Sequence, residues 1–145
     1  MKLKITKNLN LDEEICVNVH KETSLLDDLE KLVSSYNNEL NLKGFYEDEI
    51  VPLSLSEIEC FSVIDKKTFA ITKDNKEYKI NYRLYELESK LPSNFFRINK
   101  SAIANENYIK KFDASFSGNI NCVFKSGYKD YVSRRCFSVI KRRFN

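Results

Sequence analysis

The residues with the clearest capacity for chemistry sit in one stretch, "FFRINKSAIANENYI", residues 95–109. Lys100 and Ser101 stand in a short polar run gripped by Phe95 and Phe96 on one side and by Ile103, Tyr108 and Ile109 on the other. A cation and a hydroxyl held on such anchors suit a phosphate oxygen or a base edge better than a bond-breaking step. Two other places offer the same kind of group: "DKKT", Asp65 to Thr68, with Lys67 and Thr68, and "YVSRRCF", with Arg134 and Arg135.

The tools of catalysis are scarce. His20 is the only histidine and lacks a neighbouring serine or thiol elbow. Cys16, Cys60, Cys122 and Cys136 are separated by 44, 62 and 14 positions, which matches neither a zinc pattern nor a CxxC redox pair. Reduced, mostly buried thiols are expected. Three glycines supply neither a P-loop nor a dinucleotide fingerprint. Glu57 and Glu59 are expected on one strand face, but no base, metal or cofactor site accompanies them. The expectation is no enzyme, no metal, no cofactor and no small-molecule substrate.

Charge is laid out in blocks. Residues 1–65 carry 6 Lys/Arg against 14 Asp/Glu, and residues 66–145 carry 18 against 7. A net −8 followed by +11 points to a polyanion surface on the second half. Tyr and Phe interleaved with Lys, Arg and Asn there favour nucleic acid over membrane. No apolar run approaches the length of a span and no signal-peptide core is evident, so a cytoplasmic protein is expected.

These groups need elements to position them. "MKLKIT" and "EICVNVH" alternate as half-buried strands, with His20 at an exposed end. "TSLLDDLEKLVSSYNNELNL" then puts Leu25, Leu29, Leu32, Tyr36 and Leu40 on one helix face, with Thr23 or Ser24 as N-cap and Gly44 as its stop. The result is a β-β-α unit over residues 1–43, which must pack on the rest or on another copy. From residue 44 the period becomes two. "EIVPLS" (its Pro52 marking an edge), "IECFSVID", "TFAITK" and "EYKIN" are strands. "NYRLYELESKLP" is a short helix stopped at Pro92, and "FFRI", "KKFDASFSG", "NINCVFKSG" and "YKDYVS" are further strands before a terminal helical turn, "CFSVIKRRF". Alternation buries Phe96 and Ile98, turns Arg97 and Asn99 to the other face, and points Tyr131 inward. "NKSAIAN" is expected as a loop, with Asn105 capping a helical turn. The fold class is mostly β with short helices, and a doubly wound sheet is excluded.

In that order, "IECFSVIDKKTFAIT", "YRLYELESKLPSNFFRINKSAIANENYI" and "YVSRRCFSVIKRRF" resemble the LytTR-type DNA-binding domain of bacterial transcription regulators. The likeness covers about residues 48–145, and "FxRINKSxIxNxxYI" is its most specific part. The resemblance implies an elongated bundle of short antiparallel sheets over residues 44–145, preceded by the N-terminal unit. It implies loops entering successive major grooves of double-stranded DNA, bending it and reading direct repeats. Base or phosphate contacts would come from Lys67/Thr68, Lys100 and Arg135, with Arg97, Asn99, Ser101 and Arg134 beside them. It also implies a stand-alone, response-regulator-like protein without a receiver domain, a homodimer associating through residues 1–43, and a possible membrane-protein inhibitor. The runners-up are a single-stranded nucleic-acid binder, stacking bases on Tyr82, Tyr85 or Tyr128, and an interaction adaptor using the acidic segment 46–65.

Overall fold

A computed structural model of the chain describes residues 16–21, 24–37, 40–114 and 118–144. Helix α1 (Ser24–Asn37) comes first, followed by strands β1 (Leu42–Tyr46), β2 (Glu49–Leu53), β3 (Ile58–Ile64), β4 (Lys67–Thr72) and β5 (Glu77–Ile80). After helix α2 (Leu84–Lys90) come β6 (Phe95–Asn99), β7 (Ala102–Asn105), β8 (Ile109–Ala114), β9 (Ile120–Phe124), β10 (Lys129–Val132) and helix α3 (Arg134–Arg143). Seven strands form one sheet in the order β2-β1-β5-β4-β3-β7-β6, and three form a second, β10-β9-β8. Every pairing is antiparallel. The mostly β expectation, with brief helices, is met.

The large sheet is buried on both faces, which explains the nearly continuous apolar runs of β3 and β4. Phe61, Ala70 and Ile103 pack with Leu84 and Leu87 of α2 on one face. Cys60, Ile71, Ile98 and Ala104 face the other, against Cys122 and Phe124 of the small sheet and Ile140 of α3. Period two therefore sorts residues between two cores rather than between core and water. Cys60 and Cys122 fill the second core as small apolar groups, and burial pushes the Cys122 thiol up to about 12. Pro52 lies on the edge strand, as expected.

Several expectations give way. "MKLKIT" lies outside the described residues, as do the first two residues of "EICVNVH"; the remainder, Cys16 to His20, is exposed and forms no strand. Helix α1 ends at Asn37, and Gly44 stands inside β1. That glycine is a packing requirement, not a helix stop: a Cβ there would lie 2.7 Å from Tyr78 Cβ and 2.8 Å from Leu53 Cδ1. "SAIAN" is mainly strand β7, an interior strand, so the expected loop shrinks to the Lys100–Ser101 turn. Asn105 does cap a 3-10 turn, accepting from Asn107 N at 3.1 Å. Glu57 and Glu59 share no strand face; Glu57 lies in a 3-10 turn, and Glu59 is buried where its carboxylate accepts from Ser126 N and Oγ.

Candidate nucleic-acid interface

The β6–β7 turn is held from every side but one. A bulge shifts the register between Arg97 and Asn99, which breaks the alternation and turns Asn99 inward, leaving it 1% exposed. Asn99 Oδ1 accepts from Ser101 N at 2.7 Å, and its Nδ2 donates to Tyr131 O at 2.7 Å and to Asp130 Oδ1 at 3.2 Å. Ser101 O accepts from Val63 N at 2.8 Å. Arg97 donates from Nε to Glu88 at 3.1 Å and from Nη1 to Lys100 O at 2.8 Å. The Lys100 side chain is left exposed on a fully tied backbone.

Asn99 was expected on an open face and is instead an internal brace. Its partner Asp130 also accepts from Ser62 Oγ at 3.3 Å, so one carboxylate joins β10 to the large sheet. Burial raises the Asp130 pKa above its usual value, only partly offset by hydrogen bonds from Tyr131 N, Asn99, Ser62 and Tyr128. Nothing in the sequence singled out this acid, although it stands alone among the cations of "YKDYVSRR".

The second tip is a helix start. Ser133 N donates to Ile98 O at 2.9 Å, and Ser133 Oγ accepts from Cys136 N at 3.1 Å, capping α3. Arg134 and Arg135, expected in a loop, form the exposed first turn of α3, which contains no acid. Cations there oppose the helix dipole by about 0.3–1 kcal/mol each, while the same end attracts phosphate. Tyr131, expected to point inward, is 47% exposed because β10 is an edge strand.

The third tip is the β3–β4 hairpin. Asp65 and Lys66 take positive φ, 49° and 64°, as a two-residue type I′ turn needs. Lys67 is exposed, whereas Thr68 is 8% exposed and aligned between Val63 and Ile80. Because Ser62 pairs with Ala102, this hairpin and the Lys100 turn share one end of the sheet. Arg97, Asn99, Lys100, Tyr131, Ser133 and Arg135 line one groove of about 870 Å³ between β6 and α3; Lys67 and Thr68 lie outside it. The tyrosines considered for stacking are scattered: Tyr85 is exposed, Tyr82 lies under Lys90, and Tyr128 packs on Phe124.

Among the described residues no cluster of His, Cys, Asp or Glu could hold a metal ion, and no helix is long and apolar enough to cross a membrane. They also contain no pair of α-helices joined by a short turn; α2 and α3 are separated by five strands.

Residues 48–145 match the family described as the LytTr DNA-binding domain. Proteins of Staphylococcus aureus strains NCTC 8325 and COL, each described as an HTH-type transcriptional regulator, are 34% identical over all of this chain and 99% of their own length. A LytTr DNA-binding domain from Bacillus cereus shares the fold with a TM-score of 0.65 and 23% identity, covering 72% of this chain and 97% of that one. By the family match and the full-length likeness, the chain belongs to the LytTr DNA-binding domain family.

Proposed function

We propose that the chain is a transcription regulator that recognises double-stranded DNA by sequence, with Lys100 and Arg135 as its base-reading or base-adjacent groups. The observation that carries this reading is the groove they share: two exposed cations on opposite walls, one on a braced turn and one on a capped helix start. Arg135 suits a guanine edge, where a bidentate pair discriminates by roughly 1–3 kcal/mol. Lys67 and Arg134 suit flanking phosphates, and Arg97, Asn99, Ser101 and Thr68 support them from within. Two copies would occupy a direct-repeat operator.

Fluorescence anisotropy on DNA upstream of the chain's own reading frame tests this. Duplex should outcompete the matching single strand, and affinity should fall steeply between about 50 and 200 mM salt. Equal affinity for random duplex would remove the sequence-reading role, and a preference for single strands would favour stacking on Tyr131 and Tyr85.

A further inference from the structure

Phosphates and base edges account for the cationic rim of the groove but give no reason for its floor. That floor is apolar, built from Leu91, Phe95, Phe96, Ile103, Val139 and Ile140, and Val139 is 62% exposed on it. Arg97 and Lys100 stand on the β6 wall, and Arg135 on the α3 wall.

The chain carries a segment of the opposite character. Helix α1 places Leu25, Leu29 and Leu32 on one face, at steps of four and three. None of these leucines joins either core, and α1 packs extensively against no other described element. Leu32 is 58% exposed. On a helical projection Asp28 borders this stripe on one side, while Glu30 borders its other side beyond Leu26 and Val33. An apolar stripe with an acid on each margin complements an apolar floor with cations on each wall.

We infer that the groove seats helix α1 of a second copy of this chain, and that this docking competes with DNA for Lys100 and Arg135. Leu25 and Leu29 lie on the floor against Val139, and Asp28 and Glu30 meet the cations of the two walls. A second copy is favoured over the chain's own helix by reach. Strand β1 is separated from β6 by four strands, about 24 Å across the sheet, whereas residues 38–41 can span at most about 14 Å. The competition, though not the docking, rests on the DNA reading of the rim.

Sedimentation velocity of the full chain, without DNA, tests the docking. A concentration-dependent species of twice the 17.0 kDa chain mass is expected. Leu29→Asp and Val139→Asp should each weaken it by about tenfold or more, while circular dichroism stays unchanged. Glu30→Arg with Asp28→Arg should do the same, and mixing that variant with Lys100→Glu/Arg135→Glu should restore a mixed dimer. A chain that is monomeric throughout overturns the inference; tighter DNA binding by a monomeric Leu29→Asp would then assign the groove to the chain's own helix. If Leu29→Asp breaks the dimer and Val139→Asp does not, two copies of α1 pair with each other and the groove is not the seat. In the expected case added duplex dissociates the dimer, and Leu29→Asp binds DNA more tightly than the parent chain. A dimer that responds to all these substitutions but ignores duplex would sink the DNA reading and leave the docking standing.

Discussion

Arg97 holds the turn that carries Lys100: its Nη1 donates to the Lys100 carbonyl at 2.8 Å while Glu88 fixes its Nε at 3.1 Å. The guanidinium fork serves both partners at once, which a lysine ammonium on a flexible stem reproduces poorly. Arg97→Lys should therefore lower DNA affinity by about 0.5–1.5 kcal/mol, the net worth of one hydrogen bond. Thermal stability should barely change, because the ion pair is largely at the surface. In a double-mutant cycle with Glu88→Gln the affinity losses should be less than additive, since both changes release the same turn. Fully additive losses would mean that Arg97 touches the DNA itself.

Asn99 is the tie between the two sheets at the reading end. Asn99→Ala would orphan the Tyr131 carbonyl and Ser101 N–H, at about 1–3 kcal/mol for each group left buried and unpaired. Urea denaturation should show the loss as a lower midpoint at unchanged slope. Asn99→Asp should also destabilise, because it keeps the acceptor for Ser101 but sets a second carboxylate beside Asp130.

Gly44 offers a test away from the interface. Gly44→Ala forces a methyl against Tyr78 and Leu53 in the β1–β2–β5 corner, and overpacking of this kind costs about 1–3 kcal/mol. A helix stop would have tolerated alanine at smaller cost, so the size of the loss, read by thermal denaturation, separates the two roles.

Much of the scaffold was legible because its signals are local. Turn residues such as those of "DKKT" and "KDNK" bracket short alternating runs, and Pro52 marks an edge without any knowledge of its neighbours. What could not be read is what depends on distant pairing. The inward turn of Asn99 needs the bulge against β7, and the exposure of Tyr131 needs β10 to be an edge strand. The three tips were legible one by one, but their common end follows from β7 lying between β3 and β6. One local signal was misjudged: Ser133 before "RRCFSVIKRR" is an N-cap, which puts both arginines on the helix and not ahead of it.

Asp130 gives the fold a definite pH response. Its pKa is raised above the ordinary 3.8 by burial, so the folded chain holds this proton more tightly than the unfolded chain. Stability from this group is greatest below the unfolded pKa and is lost as pH rises through the folded pKa. Asp130→Asn keeps an acceptor for Asn99 and Tyr131 N without the buried charge, and Ser62 can donate to it or accept from it. This variant should be at least as stable as the parent at neutral pH and should lack the parent's decline on leaving acid. Asp130→Ala should be less stable than either at every pH, because three donors lose their acceptor. Denaturant midpoints across the acid range compare the three.

Arg135 and Arg143 lie on the same wall of the groove, eight residues apart on α3, and their surroundings assign them opposite work. Arg143 donates to Ser93 O and to Glu106 at 3.0 Å and lies over the Phe96 ring at 5.1 Å, so it rivets the end of α3 to the body. Arg135 is exposed in the first turn, against the helix dipole, with no ion-pair partner among the described residues. Arg135→Ala should leave stability unchanged or slightly raised, weaken operator binding by about 1–3 kcal/mol and relax preference at one base pair. Arg143→Ala should lower stability by about 1 kcal/mol while the base preference of the bound protein stays intact. Anisotropy against a panel of singly substituted duplexes, run beside thermal denaturation, reads both. Should Arg135→Ala weaken every duplex equally, its contact is with phosphate, and the base-reading role passes to Lys100.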